Sequence, residues 1–385
     1  MADKNTDEKK QSTGGSKDRF WVPRFWNGMG VGAWAGLVKR NRFAIDPRCY
    51  AMAGIMTGLA GVNAAMWAMQ ELILGRKIRN TQIEKHPIFI IGHWRSGTTL
   101  LHELLVLDEQ HTFPDTYACF SPNHFLATNW IIPKMLWFLM PARRPMDNMP
   151  VGWARPQEDE FAMCNMGMHS PYLTLAFPNH EPQDQQYLDL DNLSPEELDE
   201  WKKTFHWFLQ CLTKKSPEKR IVLKSPPHTC RIKHLLDIFP QARFVHIVRD
   251  PKVIFPSTIN LWKRLYRDQG FQIPKYKGLE EHVFSTFTRM YEIFQRDRDL
   301  IPAEQFSEIR YEDLVKQPLD ELERIYAELR LDGYEEALPA LQNHVSGWAE
   351  YKTNRYVIDP KIENEIEERW GDYARRYGYA ENTEK

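Results

Sequence analysis

Eight consecutive residues, Gly92-His93-Trp94-Arg95-Ser96-Gly97-Thr98-Thr99, set two glycines around an arginine and a serine and end on two threonines. Glycines let the backbone approach a ligand closely. Main-chain N–H groups and the start of a following helix add positive potential, so this pattern suits an anion held at a helix N-terminus. In a nucleoside triphosphatase loop of this shape, lysine follows the second glycine and serine or threonine comes next. Here Thr98 takes the lysine position, and the cation, Arg95, stands inside the loop. No acidic strand end offers itself to Mg²⁺. The loop therefore fits a group less charged than a triphosphate, bound without a metal.

Further along, Arg249 and Ser257 would present a guanidinium and a hydroxyl to a second anionic group. Lys224 ends a short apolar run, where a charge is costly unless an anion meets it. Arg95 and Lys224 are thus the cations placed to offset charge that builds on a leaving group. A hydroxyl acceptor must lose a proton, so a general base is expected. The candidates are Glu160 and Glu158 in the run Glu158-Asp159-Glu160, then His228, then Asp115.

These groups need a scaffold. The apolar runs at 87–92, 220–224 and 243–248 read as buried strands, with a fourth at 306–311. Helical spacing covers 98–107, 229–239 and 319–331, and Ser194 with Glu197 forms a capping-box start for another helix. Strand, crossover helix and strand imply a parallel sheet. The expected fold is α/β, a P-loop-like three-layer αβα arrangement with a central parallel sheet of about four to five strands. An insertion at about 113–186, rich in Pro, Trp, Met and Phe without a clean period, is expected to form the acceptor pocket.

Taken in order, Arg95-Ser96-Gly97-Thr98-Thr99 after a strand, Leu223-Lys224-Ser225-Pro226, Phe244 to Pro251 with Ser257, and Tyr311-Glu312-Asp313-Leu314 resemble the sulfotransferase superfamily. That resemblance implies transfer of a sulfuryl group from 3′-phosphoadenosine 5′-phosphosulfate (PAPS) as co-substrate, with no metal required. It assigns Arg95, Ser96, Gly97, Thr98 and Thr99 to the 5′-phosphosulfate, Arg249 and Ser257 to the 3′-phosphate, and Tyr311 to the adenine side. Lys352, Asn354 and Arg355 resemble the loop that closes over the 3′-phosphate. Cytosolic members carry Lys where this chain has Arg95, Trp at Leu100 and a catalytic His at Pro226. The pattern is nearer to the bacterial-type and tyrosyl-protein branches, and the latter carry a base near Asp115.

Composition narrows the partners. Lys+Arg number 50 against 52 Asp+Glu, for a formal charge of −2, which gives no support to nucleic-acid binding. The apolar insertion favours a small-molecule or lipid-like hydroxyl acceptor over a charged polysaccharide. Five scattered cysteines without a Cys-x-x-Cys pair fit a reducing, cytoplasmic setting. Residues 1–19 read as a disordered tail without the apolar core of a signal peptide, 20–80 as a helical N-terminal region, and 81–385 as the catalytic domain. Within the second, Cys49 to Gln70 carries no charged residue and reads as a buried or membrane-surface helix, which leaves peripheral membrane association open. Two alternatives compete. A P-loop kinase or nucleoside triphosphatase is opposed by the missing lysine, and a non-catalytic nucleotide-binding scaffold would bind without turnover.

Overall fold

The computed structural model describes residues 24–135, 152–347 and 358–380. Its centre is a parallel sheet of five strands: β1 (Ile88–Ile91), β2 (His111–Thr112), β3 (Arg220–Lys224), β4 (Arg243–Val248) and β5 (Phe306–Arg310). They lie in the order β2-β3-β1-β4-β5. All four β1 side chains are buried, as expected of a strand with helices over both faces, and this explains its unbroken apolar run. Strand order reverses around β1, and such a switch point opens a crevice at the carboxyl ends of the strands. Register brings those ends together: Ile90 lies level with Lys224 on one side and Val245 on the other.

The helix after the glycine loop, α3, spans Thr98–Leu105. The crossover expected over 229–239 is divided into a 3₁₀ turn at Pro226–Cys230 and a helix at Ile232–Ile238. Pro226 and Pro227 supply no N–H and hold the chain out of α geometry, so the turn comes first. Ser194 and Glu197 form the expected capping box, with Ser194 Oγ accepting from the Glu197 amide at 3.2 Å and the carboxylate accepting from the Ser194 amide at 2.9 Å. β2 escapes the sequence pattern because two residues, one of them His, have no period.

At the N-terminal side, α1 (Val31–Arg40) and α2 (Tyr50–Arg79) form a hairpin. Trp26, Trp34, Met56 and Ile78 join the same buried cluster as Phe89, Phe161 and Phe205, so this region packs into the core around the sheet. Within the insertion, the helix Asp159–Asn165 is buried throughout, and the Glu160 amide donates to Ser225 Oγ at 3.1 Å. That contact sets the start of the helix against the end of β3.

Candidate active site

Two glycines shape the loop between β1 and α3. Gly92 leaves the strand at φ +144°, and a Cβ there would lie 2.5 Å from the Ile247 carbonyl oxygen. Its amide donates to Thr229 Oγ1 at 2.8 Å. Gly97 has φ +108°, and a Cβ would overlap the Tyr311 ring. Arg95, which is not glycine, also sits in the left-handed region at φ 69°. Such a conformation costs about 1–3 kcal/mol and is typical of ligand-gripping loops. Ser96 Oγ donates to the His93 carbonyl at 2.7 Å and ties the loop across itself. No side chain caps α3, so its first amides face whatever anion enters.

Arg95 Nε donates to Ser257 Oγ at 2.8 Å, which ties the loop to the helix Pro251–Gln269. Arg249 Nη1 donates to the Arg95 carbonyl at 3.1 Å, and its guanidinium lies 3.9 Å from the centre of the Tyr311 ring. The Arg249 backbone is held from outside the motif. Tyr373 hydroxyl donates to the Arg249 carbonyl at 3.0 Å and accepts from its amide at 3.1 Å. Arg95, Arg249, Ser257 and Tyr311 therefore form one cluster at the strand ends.

A second cluster starts one residue earlier in the loop. Trp94 Nε1 donates to the Tyr172 hydroxyl at 2.8 Å, which donates to Glu158 Oε2 at 2.5 Å. Lys224 Nζ donates to Glu158 Oε1 at 2.6 Å. Burial, and then the neighbouring Glu158, push the Tyr172 phenol well above its ordinary value, so it stays protonated and donating. Lys224 and Glu158 thus meet beside the loop, with Tyr172 and Trp94 as the connecting chain.

The other candidates lie elsewhere. Glu160 is held by Arg231 through two bonds of 2.6 and 2.9 Å and accepts from Ser170 Oγ at 2.6 Å. Arg231 reaches onward to the Tyr187 carbonyl at 2.6 Å and lies over Trp201. His228 donates from Nε2 to Asp159 Oδ2 at 2.7 Å, and neither side chain has exposed surface. Burial opposes the charge of Asp159, but the His228 ring and the Ser225 hydroxyl prevail and hold its carboxyl below the usual range. Asp115 caps a short helix by accepting from the Ala118 amide at 2.7 Å, and it pairs with Lys215. Of the acids in the 158–160 run, only Glu158 keeps appreciable side-chain exposure, 17% against 0% and 1%. Lys352, Asn354 and Arg355 fall outside the described residues.

Sequence reasoning missed Trp94, Tyr172, Tyr373 and Arg231. Trp94 stands inside the recognised loop, but Tyr172 and Tyr373 lie where nothing in the pattern links them to it. Arg231 could have been paired with the acidic run through the spacing of Lys224, His228 and Arg231.

This chain is similar to the omega-hydroxy-beta-dihydromenaquinone-9 sulfotransferases Stf3 of Mycobacterium bovis and Mycobacterium tuberculosis. To each it is 45% identical over 368 residues, covering 96% of this chain and 94% of the relative. In fold it is similar to sulfotransferase STF9 from Mycobacterium avium, with a TM-score of 0.64 at 18% identity over 91% of this chain and 96% of that one. It also resembles sulfotransferase STF1 from Mycobacterium tuberculosis H37Rv, with a TM-score of 0.56 at 20% identity over 89% and 90%. The model of the sulfotransferase family matches residues 87–336, which hold both clusters described above. The chain belongs to that family and is a sulfotransferase, an enzyme that acts with a sulfuryl donor.

Proposed function

We propose that this sulfotransferase takes the sulfuryl group from PAPS and delivers it to a hydroxyl of a lipid-like acceptor, with Glu158 as general base. In this reading the loop residues Arg95, Ser96, Gly97, Thr98 and Thr99 hold the 5′-phosphosulfate. Arg249 and Ser257 hold the 3′-phosphate, Tyr311 lies on the adenine side, and Lys352, Asn354 and Arg355 close over the nucleotide. The spatial grouping of Arg95, Arg249, Ser257 and Tyr311 supports the donor assignment. The observation that carries the proposal is the Lys224–Glu158–Tyr172–Trp94 chain beside the loop.

The acceptor hydroxyl gives its proton to Glu158 as its oxygen bonds to sulfur. The bond from sulfur to the 5′-phosphate oxygen breaks, and the electron pair stays on that oxygen. Lys224 and Arg95, rather than a metal, offset the charge that collects there. Lys224 also orients the Glu158 carboxylate, and Tyr172 fixes its second oxygen while leaving lone pairs free to accept the proton. The lipid-like acceptor rests on the 45% identical relatives, whose name states a hydroxylated menaquinone derivative. Five free, buried cysteines fit a cytoplasmic site of action, and the apolar N-terminal helix fits work at a membrane surface.

Two measurements test this. 3′,5′-Adenosine bisphosphate should raise the melting temperature and ATP–Mg²⁺ should not, because only a ligand that prefers the folded state stabilises it. Arg249→Ala should abolish the response by removing a charge-assisted contact worth about 1.5–3 kcal/mol. Labelled sulfate from PAPS should then appear in a lipid-extract fraction. Stabilisation by ATP–Mg²⁺ alone, or label only in water-soluble products, would overturn the reading.

A further inference from the structure

α2 is apolar on both its buried and its exposed sides. Its protein-facing side is marked by Ala53, Met56, Ala60, Asn63, Gln70 and Ile78, all buried. Two of these are polar and fully engaged. Asn63 Nδ2 donates to the Asn27 and Met29 carbonyls at 2.7 and 3.0 Å. Gln70 Nε2 donates to the Asn123 carbonyl at 2.9 Å, and its Oε1 accepts from the Ala127 amide at 3.1 Å. The outward side is apolar, with Ile55, Val62, Trp67, Met69, Leu72 and Ile73 exposed and Leu72 88% so. A helix turned toward water carries charges outside and apolar residues within. From Tyr50 to Gln70 it carries no charge at all.

The patch is also long. Thirty residues extend about 45 Å, and exposed apolar side chains recur from Ile55 to Ile73 along it, the kind of extended patch that marks a partner or membrane surface. A further exposed aromatic stands on the insertion beside α2: the Ala127 amide donates to Gln70, the Ala127 carbonyl accepts from the Trp130 indole at 3.0 Å, and Trp130 is 68% exposed. Charge marks the strip's end. Arg76, Lys77 and Arg79 occupy the last turn of α2, and its single carboxylate, Glu71, is paired with Arg79. Protein covers one side of the helix along its length, the arrangement of a helix that lies in an interface with its other side toward lipid.

We propose that the outward side of α2, with Trp130, lies flat in the interface of an anionic phospholipid bilayer. Its apolar strip enters the acyl boundary, and Arg76, Lys77 and Arg79 meet the phosphate headgroups. The inference deepens the lipid-acceptor reading. α2 is bonded through Gln70 to the insertion that also carries Glu158 and Tyr172, so interfacial docking would hold that insertion close to the bilayer that dissolves the acceptor.

The test uses the full chain and needs no turnover. It is sedimented with vesicles of phosphatidylglycerol and phosphatidylcholine, and with phosphatidylcholine alone. A Val62→Glu/Leu72→Glu variant is run beside it. The wild type should pellet with the anionic vesicles and less with the neutral ones, and the variant should lose at least about tenfold in partitioning, since each exposed apolar group contributes strongly to insertion. Equal stabilisation of both proteins by 3′,5′-adenosine bisphosphate would show that the variant is folded with its nucleotide site intact. Wild type left in the supernatant with both vesicles overturns the proposal, as does a variant that pellets equally. Light scattering that shows a dimer which the variant dissociates, without vesicle binding, assigns the strip to a second copy and also overturns it. Vesicle binding without nucleotide stabilisation would instead sink the donor reading and leave this one standing.

Discussion

Glu158 and Glu160 stand two residues apart, yet their replacement by glutamine should fail in opposite ways. Glu158→Gln keeps an amide oxygen that accepts from Lys224 and removes the group proposed to take the acceptor's proton. General bases contribute about 10²–10⁴ in rate, so kcat should fall by that factor, about 2.7–5.4 kcal/mol in the barrier. Donor binding should survive, because Arg95, Arg249 and Ser257 are untouched. Folding stability should fall less than for Glu160→Gln, since the Glu158 side chain keeps 17% exposure and the new amide oxygen still accepts from Lys224, although Lys224 itself is only 3% exposed and loses its counter-charge. Glu160→Gln instead removes the counter-charge of Arg231, whose side chain is fully buried and bound to both carboxylate oxygens. Breaking such a pair from one side costs about 3–5 kcal/mol, because the remaining charge has no water to return to. The denaturation midpoint should therefore drop, while kcat of the folded fraction stays within a few-fold of wild type. Labelled sulfate transfer and urea denaturation on both proteins decide the matter. The assignment is refuted if Glu158→Gln keeps kcat within about tenfold, below the lower bound for a base. It is equally refuted if Glu160→Gln stops turnover with an unchanged midpoint.

Two further results are expected. Gly97→Ala should weaken 3′,5′-adenosine bisphosphate by at least about tenfold in a thermal-shift titration, because the new methyl meets the Tyr311 ring and the backbone is left-handed there. Gly58→Ala in α2 is the control, since no described atom lies within 4 Å of the added group, and it should stabilise by about 0.5–1 kcal/mol without touching nucleotide binding. Acid should destabilise the protein as pH falls below the ordinary histidine value of 6.5, because burial holds His93 down to about 3 and His124 to about 4. Between those limits the unfolded chain binds protons that the folded one refuses, so stability falls as pH falls, by about 2 kcal/mol per histidine at pH 5. His124→Gln should flatten the slope of denaturation midpoint against pH over that window, and an unchanged slope would refute the account.

The candidate donor loop is legible in the sequence because its geometry is local. A strand, a glycine loop and a helix are consecutive, and their anion-binding geometry follows from backbone alone. The long strands were legible for a related reason, since burial on both faces leaves an unbroken apolar run. β2 was not, as two residues gain their strand character only by pairing with β3. Membership of Tyr172 and Tyr373 in the site also depends on tertiary approach: each reaches it from a segment 78 or 124 residues away from its partner. No spacing rule spans such separations. The charge-free stretch from Cys49 was visible, but which side of α2 faces the protein was not, because its apolar residues show no strong stripe. Only the placement of Asn63 and Gln70 against backbone carbonyls and amides reveals it.

The acidic run shows how a shared sequence signal divides in three dimensions. Glu158, Asp159 and Glu160 are adjacent, and each meets a different basic side chain from the stretch that runs from the end of β3: Lys224, His228 and Arg231. The helix starting at Asp159 fans the carboxylates apart, while the end of β3, the turn at Pro226–Cys230 and the residue before the next helix space Lys224, His228 and Arg231 to match. Two of the pairs are sealed. Their carboxylates are met by Ser225, Ser170, His228 and Arg231, which suits the two pairs to anchoring the insertion on the sheet. The third lies at the end of the row nearest the glycine loop's Trp94, through Tyr172, and its carboxylate keeps exposed surface. Sealed pairs hold the row rigid, and rigidity is what a base needs if it is to meet a hydroxyl within hydrogen-bond reach. The same argument explains why a run of three acids points to a segment and not to one residue. Composition marks the row, and burial singles out Glu158 as the member with exposed carboxylate, which is why the proposal places the base there.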